Sequence, residues 1–498
     1  RQLWWGHRVP VWYCDACGGE PIVSRDDVSA CPRCGGAVRQ DEDVLDTWFS
    51  SWLWPFSTLG WPDENAPDMR AFYPTDVLVT APEILFFWVA RMVMAGHFFL
   101  GRSPFHTVYL HGTVRDMKHV KMSKSLGNGI DPLDVVRLYG ADALRYTVIA
   151  GLGLGADVML DPDNLEQSFA PGRNFVTKLW NIGRFILTNV GGEAVTPLSA
   201  IAPERLTRAD AWILARLDAA VAECDAALGP ARPDGDGRWR ESQRFEGMRL
   251  SELVEAARRF TWNELADWYV ESTKPRLAAG GPDGEVARAV LVHAFDAALR
   301  LLHPVVPFIT ETVWQQIAAR SSDEFLARAR WPEQGRRDGR AASEFELVRE
   351  AVSAIRQIRA EYNVAPGKRV DAILIGAGAG SHAVRAAEAG AIGHLARAGV
   401  AAGAAAPPDA AAHAVLSDGS QVIVPLAGAI DVARECERLR AELAQLEGQR
   451  SGLEQRLGNE RFLTRAKPDV VEGERRRLRE LGTRREQLAA KVQALCGV

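Results

Sequence analysis

The apolar pattern of this 498-residue chain changes after the segment "DPDN" at 161–164. Before it, short apolar runs such as "DVLVT" and "HTVYLHGTV" alternate with helical patterns, as in layered α/β folds. From 165 to 320, apolar residues recur at helical spacing, as in the continuous run at 287–318, and prolines are expected only near helix ends. The change predicts an α/β region followed by a separate all-α bundle.

A smaller α/β module is predicted at 371–427, where the chain becomes rich in Ala and Gly. Two strand-like runs, "AILIG" and "QVIVPL", flank the helical segment "SHAVRAAEAGAIGHLARAG". The segment "GAGAG" at 376–380 follows a strand and precedes a helix, which is the context of a dinucleotide-binding loop. Its spacing does not match G-x-G-x-x-G and no acidic residue stands at the expected distance, so a simple turn is favoured.

The C-terminal tail carries two heptad patterns separated by turn residues. Since "GNERFLTRAKPD" supplies Gly, Asn and Pro between them, we predict an antiparallel coiled-coil hairpin within one chain rather than a coil that joins two chains. The heptad positions are Val432, Cys436, Leu439, Leu443, Leu446, Leu453 and Leu457, then Val471, Leu478, Leu481, Leu488, Val492 and Leu495, with interruptions at Arg450, Glu474 and Arg485.

The returning helix of this hairpin is rich in arginine. Because the formal net charge of the whole chain is -5, binding to nucleic acid must depend on local basic patches of this kind. A solvated helix face has the same composition and is the alternative. The arginines are Arg475, Arg476, Arg477, Arg479, Arg484 and Arg485.

Four of the seven cysteines form two Cys-x-x-Cys pairs, each followed by Gly-Gly: Cys14 with Cys17, and Cys31 with Cys34. The two-residue gap lets both thiolates of a pair reach one tetrahedral ion, and the glycines allow the turn behind it. We expect a structural Zn²⁺ site, closed by four thiolates, with free thiols as the alternative.

The other cysteines, Cys224, Cys436 and Cys496, are widely spaced. They are a poor disulfide framework for so long a chain, which indicates a reducing cytosol. The opening segment lacks the pattern of a signal peptide and begins at Arg1, so we expect the chain to start within a longer protein.

The apolar stretch at 84–100 is similar in composition to a membrane span. It is short for a span and carries Arg91 and His97, which are costly in hydrocarbon. We therefore expect a helix buried in a large core and no membrane contact.

The segment "KHVKMSKSLGNGIDP" at 118–132 concentrates lysines before a tight turn. It follows a predicted strand that ends in His111 and Gly112, and ligands of α/β sheets collect beyond the carboxyl ends of strands. Lysines on a flexible segment can close over a polyphosphate and neutralise the charge of a departing pyrophosphate. The alternative is a solvated basic loop without a ligand. We predict that Asp131 caps a helix that begins at Pro132 and ends at Gly140.

These motifs resemble those of the class I aminoacyl-tRNA synthetases. The "KMSKS" at 121–125 is similar to their signature loop, and "GADALRY" at 140–146 to the segment that leads from it to the anticodon-binding domain. Within the class, "RQLWWGHRVPVWYC", "DEDVLDTWFSSWLWPFSTLGWP", "ILFFWVARM" and "NERFLTRAKPDVV" resemble the valyl-tRNA synthetases. The isoleucyl and leucyl relatives share the loop and are the alternative.

The resemblance implies a valine-tRNA ligase, with valine, ATP with Mg²⁺, and tRNA(Val) as its substrates and partners. It implies that Lys121 and Lys124 contact the ATP phosphates while the valine carboxylate attacks the α-phosphorus, with Lys124 the more important. The implied nucleotide-binding residues are His111, Gly112, Met122, Ser123, Lys124 and Ser125. The implied valine pocket consists of Trp48, Glu83, Ile84 and Trp88. The implied tRNA contacts of the arm are Arg475, Arg476, Arg479 and Arg484.

The resemblance also implies a multidomain fold: the second half of a Rossmann-like catalytic domain at 1–160, a helical anticodon-binding bundle at 161–325, a linker and small α/β module at 326–427, and a coiled-coil tRNA-binding arm at 428–498. We expect a cytoplasmic monomer. A HIGH-like motif and the editing insertion of the family are missing from the sequence, so we expect a C-terminal portion that neither edits nor works alone. A tRNA-binding module without catalysis, and a zinc-ribbon protein with a coiled-coil dimerisation tail, are the alternatives.

Overall fold

The computed structural model describes residues 6–151, 153, 155–190, 195–229, 247–318, 320–321, 323–335, 339–403, 411–459, 462 and 467–496. The chain forms two units, which we describe separately. Unit 1 comprises residues 1–177, 223–256 and 305–309, and unit 2 comprises 178–222, 257–304 and 310–498.

The described strands, in chain order, are β1 (Val11–Tyr13), β2 (Ile22–Val23), β3 (Arg39–Gln40), β4 (Thr75–Thr80), β5 (Phe105–Leu110), β6 (Val114–Arg115), β7 (Val158–Met159), β8 (Val370–Ile375), β9 (Ala398–Ala402), β10 (Ala411–Val415) and β11 (Gln421–Pro425). The described α-helices are α1 (Thr47–Ser51), α2 (Trp54–Ser57), α3 (Pro67–Phe72), α4 (Ala90–Leu100), α5 (Pro132–Tyr139), α6 (Ala141–Ile149), α7 (Leu165–Val190), α8 (Arg208–Leu228), α9 (Leu250–Arg259), α10 (Glu271–Ala279), α11 (Gly281–Leu302), α12 (Pro307–Ile317), α13 (Gly339–Glu361), α14 (Ala379–Ala387), α15 (Ala389–Ala396), α16 (Val432–Leu457) and α17 (Pro468–Cys496).

Unit 1 contains a βαβ arrangement. Strands β4 and β5 are parallel, with Thr75 opposite Phe105 and Thr80 opposite Leu110. Because parallel neighbours need a crossover, the chain between them runs through the helical segment that ends in α4. Strands β6 and β7 form a second parallel pair, and β2-β1-β3 form an antiparallel sheet beside the cysteines. The two strand predictions are confirmed, and the second strand ends one residue before His111.

The apolar segment at 82–100 is helical, but the expectation that it is buried in a core is wrong. Phe86, Met94 and Phe98 are 78%, 64% and 81% exposed. Only its inner face is covered, where Met92 packs against Phe105 of β5. Among the described helices, this one alone has the length and composition of a membrane span, and 22% of its apolar window is buried. One such helix is weak evidence of a span, because core helices share these properties.

The region predicted as a bundle is mainly helical in its described residues. The apolar run at 287–318 consists of two helices, α11 and α12, because Pro304 and Pro307 interrupt it. Two other prolines, Pro171 and Pro275, lie inside α7 and α10, so the expectation that prolines occur only near helix ends is wrong. The inner face of α11 packs fully buried side chains such as Val290 and Phe295.

The predicted small module is a four-stranded mixed sheet in the order β10-β11-β8-β9. Both predicted strands are present as β8 and β11. Gly376 and Gly378 lie in the turn from β8 into α14, and Gly380 is in the first turn of α14. The predicted helix is divided into α14 and α15. Strands β9 and β10 were not predicted, because Ala and Gly have low strand propensity and tertiary pairing decides their conformation.

The C-terminal helices form the predicted antiparallel hairpin. Ion pairs between them join Arg456 to Glu474 at 3.1 Å and Arg484 to Glu442 at 3.2 Å, so residue numbers rise on one helix as they fall on the other. Leu439, Leu446 and Leu453 of the predicted heptads are buried. Part of the predicted turn, at 460–461 and 463–466, lies outside the described residues.

The arm also corrects one prediction about the cysteines. Cys436 and Cys496 form a disulfide between α16 and α17, although their spacing of 60 residues had made such a pair unexpected. The hairpin register brings them together, which spacing along the chain does not reveal.

A buried ion-pair network holds the small module together. The Arg385 side chain is 2% exposed and donates to Asp418 at 2.8 Å and to Glu350 at 3.1 Å. Burial raises the pKa of Asp418 and the guanidinium lowers it, and the net pKa lies below the ordinary value of 3.8. Removing Arg385 takes away charged hydrogen bonds from two carboxylates whose side chains are 25% and 30% exposed.

We predict that Arg385→Met destabilises this module by about 1.5–3 kcal/mol, because it removes the charged hydrogen bonds to Asp418 and Glu350. Hydrogen exchange of β8 and β11 measures the change. Since the folded pKa of Asp418 is depressed, the contribution is present above its unfolded pKa and is lost as pH falls through the folded value. Arg340→Met, at a side chain 90% exposed on α13, is the matched control; equal exchange in both variants would contradict the prediction.

Candidate functional site

The lysine-rich loop is held at its base by one buried carboxylate. Asp116 is 9% exposed and accepts the backbone N–H groups of Lys118 and Val120, both at 2.9 Å. The amide of Asn128 also donates to Asp116 at 2.9 Å and accepts the N–H of Ser123 at 2.9 Å. The Asn128 hydrogen bond is the main cause that lowers the pKa of Asp116. Bonds to a charged group contribute about 1.5–3 kcal/mol each, so the two ends of the loop are firmly joined.

The tip of the loop is a single 3₁₀ turn at Lys124–Leu126. Ser123 accepts the N–H of Leu126 at 3.3 Å and lies 3.2 Å from the Ser125 hydroxyl. Gly127 ends the turn with a φ of 66°, in the left-handed region that favours glycine. Met122 packs inward against the cluster around Val135, so it anchors the loop to the core.

The two loop lysines differ in their surroundings. The Lys121 ammonium contacts the Glu83 carboxylate at the start of the segment that leads into α4, and this contact lowers the pKa of Glu83. Their side chains are 58% and 44% exposed, so the pair contributes at most about 1 kcal/mol. Lys124 is exposed, and within the described part of the chain its ammonium has no ion pair. Both ammonium groups can therefore be recruited by a ligand at small energetic cost.

The helix after the loop begins and ends where the sequence predicted. Asp131 accepts the N–H of Leu133 at 2.9 Å, and Pro132 is the first residue of α5. Gly140 ends α5 with a φ of 93°, and α6 follows at once. These caps direct the chain out of the loop and into the helical region.

His111 and Gly112 lie beyond the carboxyl end of β5. The His111 N–H donates to the Thr80 carbonyl at 3.1 Å, which adds one hydrogen bond to the pairing of β4 with β5. A Cβ on Gly112 would lie 1.8 Å from the carbonyl oxygen of Ala156. Glycine at this position therefore leaves room for the backbone of Ala156. Both residues line a cavity of about 330 Å³, and His111 is close enough to Glu83 to help lower its pKa.

Asp157 supports this edge from the neighbouring segment. It accepts the N–H of Thr113 at 2.8 Å and contacts the Arg115 side chain. These two interactions, with the backbone one first, lower the pKa of Asp157. Sequence reasoning missed Asp116, Asn128 and Asp157. Only Asn128 carried a signal, as the centre of a Gly-Asn-Gly turn.

The four residues assigned to the amino-acid pocket have different contacts. Trp48 stacks on Phe87 with ring centroids 6.1 Å apart. The Trp88 indole N–H donates to the Ser51 carbonyl at 3.1 Å, and Trp88 lines a cavity of about 710 Å³. Ile84 lies at the start of the same helical segment and is half-buried, while Glu83 points to the lysine loop. The structure therefore joins Glu83 to the phosphate-binding candidates and Trp88 to a separate apolar cavity.

The cysteine pairs converge on one point. The sulfur atoms of Cys14, Cys17, Cys31 and Cys34 all lie within 4.8 Å of one another. Four thiolates about 2.3 Å from one Zn²⁺ ion would stand about 3.8 Å apart, so this set fits a tetrahedral ion. The backbone N–H of Arg33 is the main cause that lowers the pKa of Cys31 to about 6.

The arginines of the arm fall into two groups. Arg479 pairs with Glu472 at 3.1 Å, and Arg484 with Glu442 at 3.2 Å. Arg475 and Arg476 are exposed, and among the residues that the structure describes they have no ion pair. Arg475 and Arg476 therefore present positive charge to solvent, as does the neighbouring Arg477, which is also exposed.

Three family descriptions match the chain. "tRNA synthetases class I (I, L, M and V)" matches residues 1–161, "Anticodon-binding domain of tRNA ligase" matches 241–374, and "Valyl tRNA synthetase tRNA binding arm" matches 431–496. The order of the three agrees with the order of domains that the motifs predicted.

Curated relatives agree with these matches. Valine–tRNA ligase of Symbiobacterium thermophilum is 40% identical over 99% of this chain and 54% of the relative, and that of Carboxydothermus hydrogenoformans is 42% identical over the same shares. Among solved structures, LeuRS of Agrobacterium radiobacter, in a complex with tRNA and LeuAMS, aligns with a TM-score of 0.49 and 21% identity over 68% of this chain and 42% of that chain. The chain spans about half the length of the curated relatives it matches. Over its matched segments the chain is similar to the class I aminoacyl-tRNA synthetases, and among them to the valyl-tRNA synthetases.

Proposed function

We propose that this chain takes part in the valine-tRNA ligase reaction, in which valine is activated with ATP and transferred to tRNA(Val). The observation that supports the proposal best is the exposed ammonium of Lys124 on a loop whose base is pinned by Asp116. Such a loop holds its charge near the carboxyl ends of two parallel strands and still lets the tip move.

In the proposed adenylation step, the valine carboxylate attacks the α-phosphorus of ATP and pyrophosphate leaves. Lys124 and Lys121 neutralise the charge that develops on the phosphates, and Lys121 exchanges its weak contact with Glu83 for a phosphate oxygen. His111 and Gly112 would lie beside the nucleoside, with Ser123 and Ser125 facing the phosphates and Met122 holding the loop to the core. Mg²⁺ would enter with ATP and share the neutralisation of its phosphates.

We infer that Trp48, Ile84 and Trp88 provide apolar walls for the valine side chain, and that Glu83 serves the polar end of the site. The cavity lined by Trp54 and Trp88 supports the part of Trp88 in this assignment, since large aromatic walls suit a branched aliphatic ligand. The domain assignment at 1–160, 161–325, 326–427 and 428–498 is part of the same proposal.

The same proposal assigns a structural Zn²⁺ to the four cysteines and tRNA contacts to the arm through Arg475, Arg476, Arg479 and Arg484. We further propose a cytoplasmic monomer. A binding module without chemistry is the second candidate, because the chain spans about half the length of its relatives.

Lys124→Ala is expected to lower valine-dependent pyrophosphate exchange about 10²- to 10³-fold, since it removes a cation from the developing phosphate charge. The assay uses the Symbiobacterium thermophilum relative with its matched region replaced by this chain. Lys118→Ala, in the same loop, is the matched control and should change the rate less than threefold. Equal losses in both variants would contradict the role of Lys124.

The isolated chain is assayed in parallel. Exchange by the chain alone would show that it is sufficient for activation. Specific binding of tRNA(Val) by a chimera that catalyses no exchange would favour the binding module.

The chain is expected to contain one Zn²⁺, measured by elemental analysis after dialysis. Cys31→Ser should lower the content to below roughly 0.1 equivalent, because a structural site needs all four thiolates. Cys224→Ser, at a buried cysteine outside the cluster, should leave it unchanged. A metal-free wild-type chain with a full set of reactive thiols would refute the zinc site.

The double change Arg475→Gln and Arg476→Gln is expected to weaken tRNA binding and to reduce the slope of log K against log salt by roughly 1.5, as expected for two lost phosphate contacts. The measurement is a fluorescence titration at several salt concentrations. Arg450→Gln removes an arginine of α16 that pairs with Glu454 of the same helix, and it should leave the slope unchanged. An equal change of slope in the double variant and in the control would contradict the assignment of phosphate contacts to Arg475 and Arg476.

A further inference from the structure

The two cysteines of the arm lie at the open end of its hairpin. Cys436 is in the second turn of α16 and Cys496 is the last residue of α17, and the structure joins their sulfur atoms. Their Cα atoms are 5.9 Å apart, inside the range of roughly 4.4–6.8 Å that disulfides occupy. The chain itself joins the two helices at the far end, between Gly458 and Pro468. The pair therefore closes the end of the hairpin that the backbone leaves open.

The two thiols differ in access. Cys436 is 7% exposed and lies on the apolar seam beside Leu439 in sequence. Cys496 is half-buried, next to the buried Leu495. A small reagent thus reaches Cys496 first, and Cys436 is placed to complete the bond.

The buried side chains of α17 are concentrated at the same end of the hairpin. Among the described residues of α17, the buried ones are Leu488, Val492 and Leu495, all within about two turns of Cys496. Lys491 in this stretch also pairs with Glu361 of α13 at 2.7 Å. The ion pairs that join α16 to α17 are largely solvent-exposed, so they contribute little to the stability of the hairpin. A disulfide at Cys496 therefore fixes the end of α17 that carries its buried side chains and its ion pair with α13.

We propose that Cys436 and Cys496 form a reversible thiol–disulfide site that responds to low-molecular-weight disulfides and clamps the base of the arm when oxidised. The site is separate from the four clustered cysteines, and it stands whether or not the chain has the activity proposed above.

The reaction proceeds by two exchanges. The Cys496 thiolate attacks one sulfur of a small disulfide and releases one small thiolate, and a mixed disulfide forms. The Cys436 thiolate then attacks the Cys496 sulfur and releases the second small thiolate. The protons lost by the two protein thiols pass through solvent to the two released thiolates. The protein loses two electrons and the small disulfide gains them.

The test uses the full chain equilibrated with mixtures of oxidised and reduced glutathione and then quenched with acid. Mass spectrometry of non-reduced peptides measures the fraction of Cys436 linked to Cys496. We expect this fraction to follow the ratio of oxidised glutathione to the square of reduced glutathione, as an intramolecular disulfide requires. Dependence on the first power, with glutathione retained on Cys496, would overturn the proposal.

The clamp is tested by hydrogen exchange of residues 488–495 in the wild-type chain, oxidised and then reduced. We expect exchange at least tenfold slower in the oxidised form, because the crosslink prevents α17 from separating at its end. Cys436→Ser and Cys496→Ala should each abolish the difference, and Cys224→Ser should retain it. The wild-type comparison needs no folded variant, and equal exchange in its two forms would overturn the clamp.

Discussion

The parallel pairing of β4 with β5 determines where the candidate site can lie. Parallel strands end at the same edge, so Thr80 and Leu110 stand side by side and their next residues lead to Glu83 and His111. The crossover that such a pair requires supplies the helical segment on which Glu83, Ile84 and Trp88 are arranged. The lysine loop follows β5 after a few residues, and its Lys121 contacts Glu83 at the same edge.

The loop combines a rigid base with a loosely held tip. Buried hydrogen bonds of Asp116 and Asn128 join its ends, and Met122 packs into the core below. Lys121 has an exposed contact with Glu83, and in the described part of the chain the Lys124 ammonium at the tip has no ion pair. An exposed ion pair adds little to stability, whereas a buried carboxylate with several hydrogen-bond donors adds much. A charged ligand can therefore displace the tip without breaking the hydrogen bonds at the base of the loop.

Local patterns predicted the elements whose causes are local. The cap at Asp131, the first turn at Pro132 and the end at Gly140 follow from backbone preferences of single residues, and the structure has all three. The Cys-x-x-Cys pairs carry their ligand geometry in a two-residue gap, and the four sulfurs meet. Predictions that needed distant neighbours were less accurate, as with strands β9 and β10 and with the exposure of Phe86 and Phe98.

The sequence by itself determined the order of regions, the hairpin of the arm, the cysteine cluster and the lysine loop, because each follows from periodicity or spacing within a short stretch. Only the tertiary structure decided that Asp116 and Asn128 hold the loop, that Glu83 faces Lys121 while Trp88 faces a separate cavity, and that Cys436 meets Cys496. These contacts join residues whose proximity is set by strand pairing and helix register. No local preference of either residue contains that information.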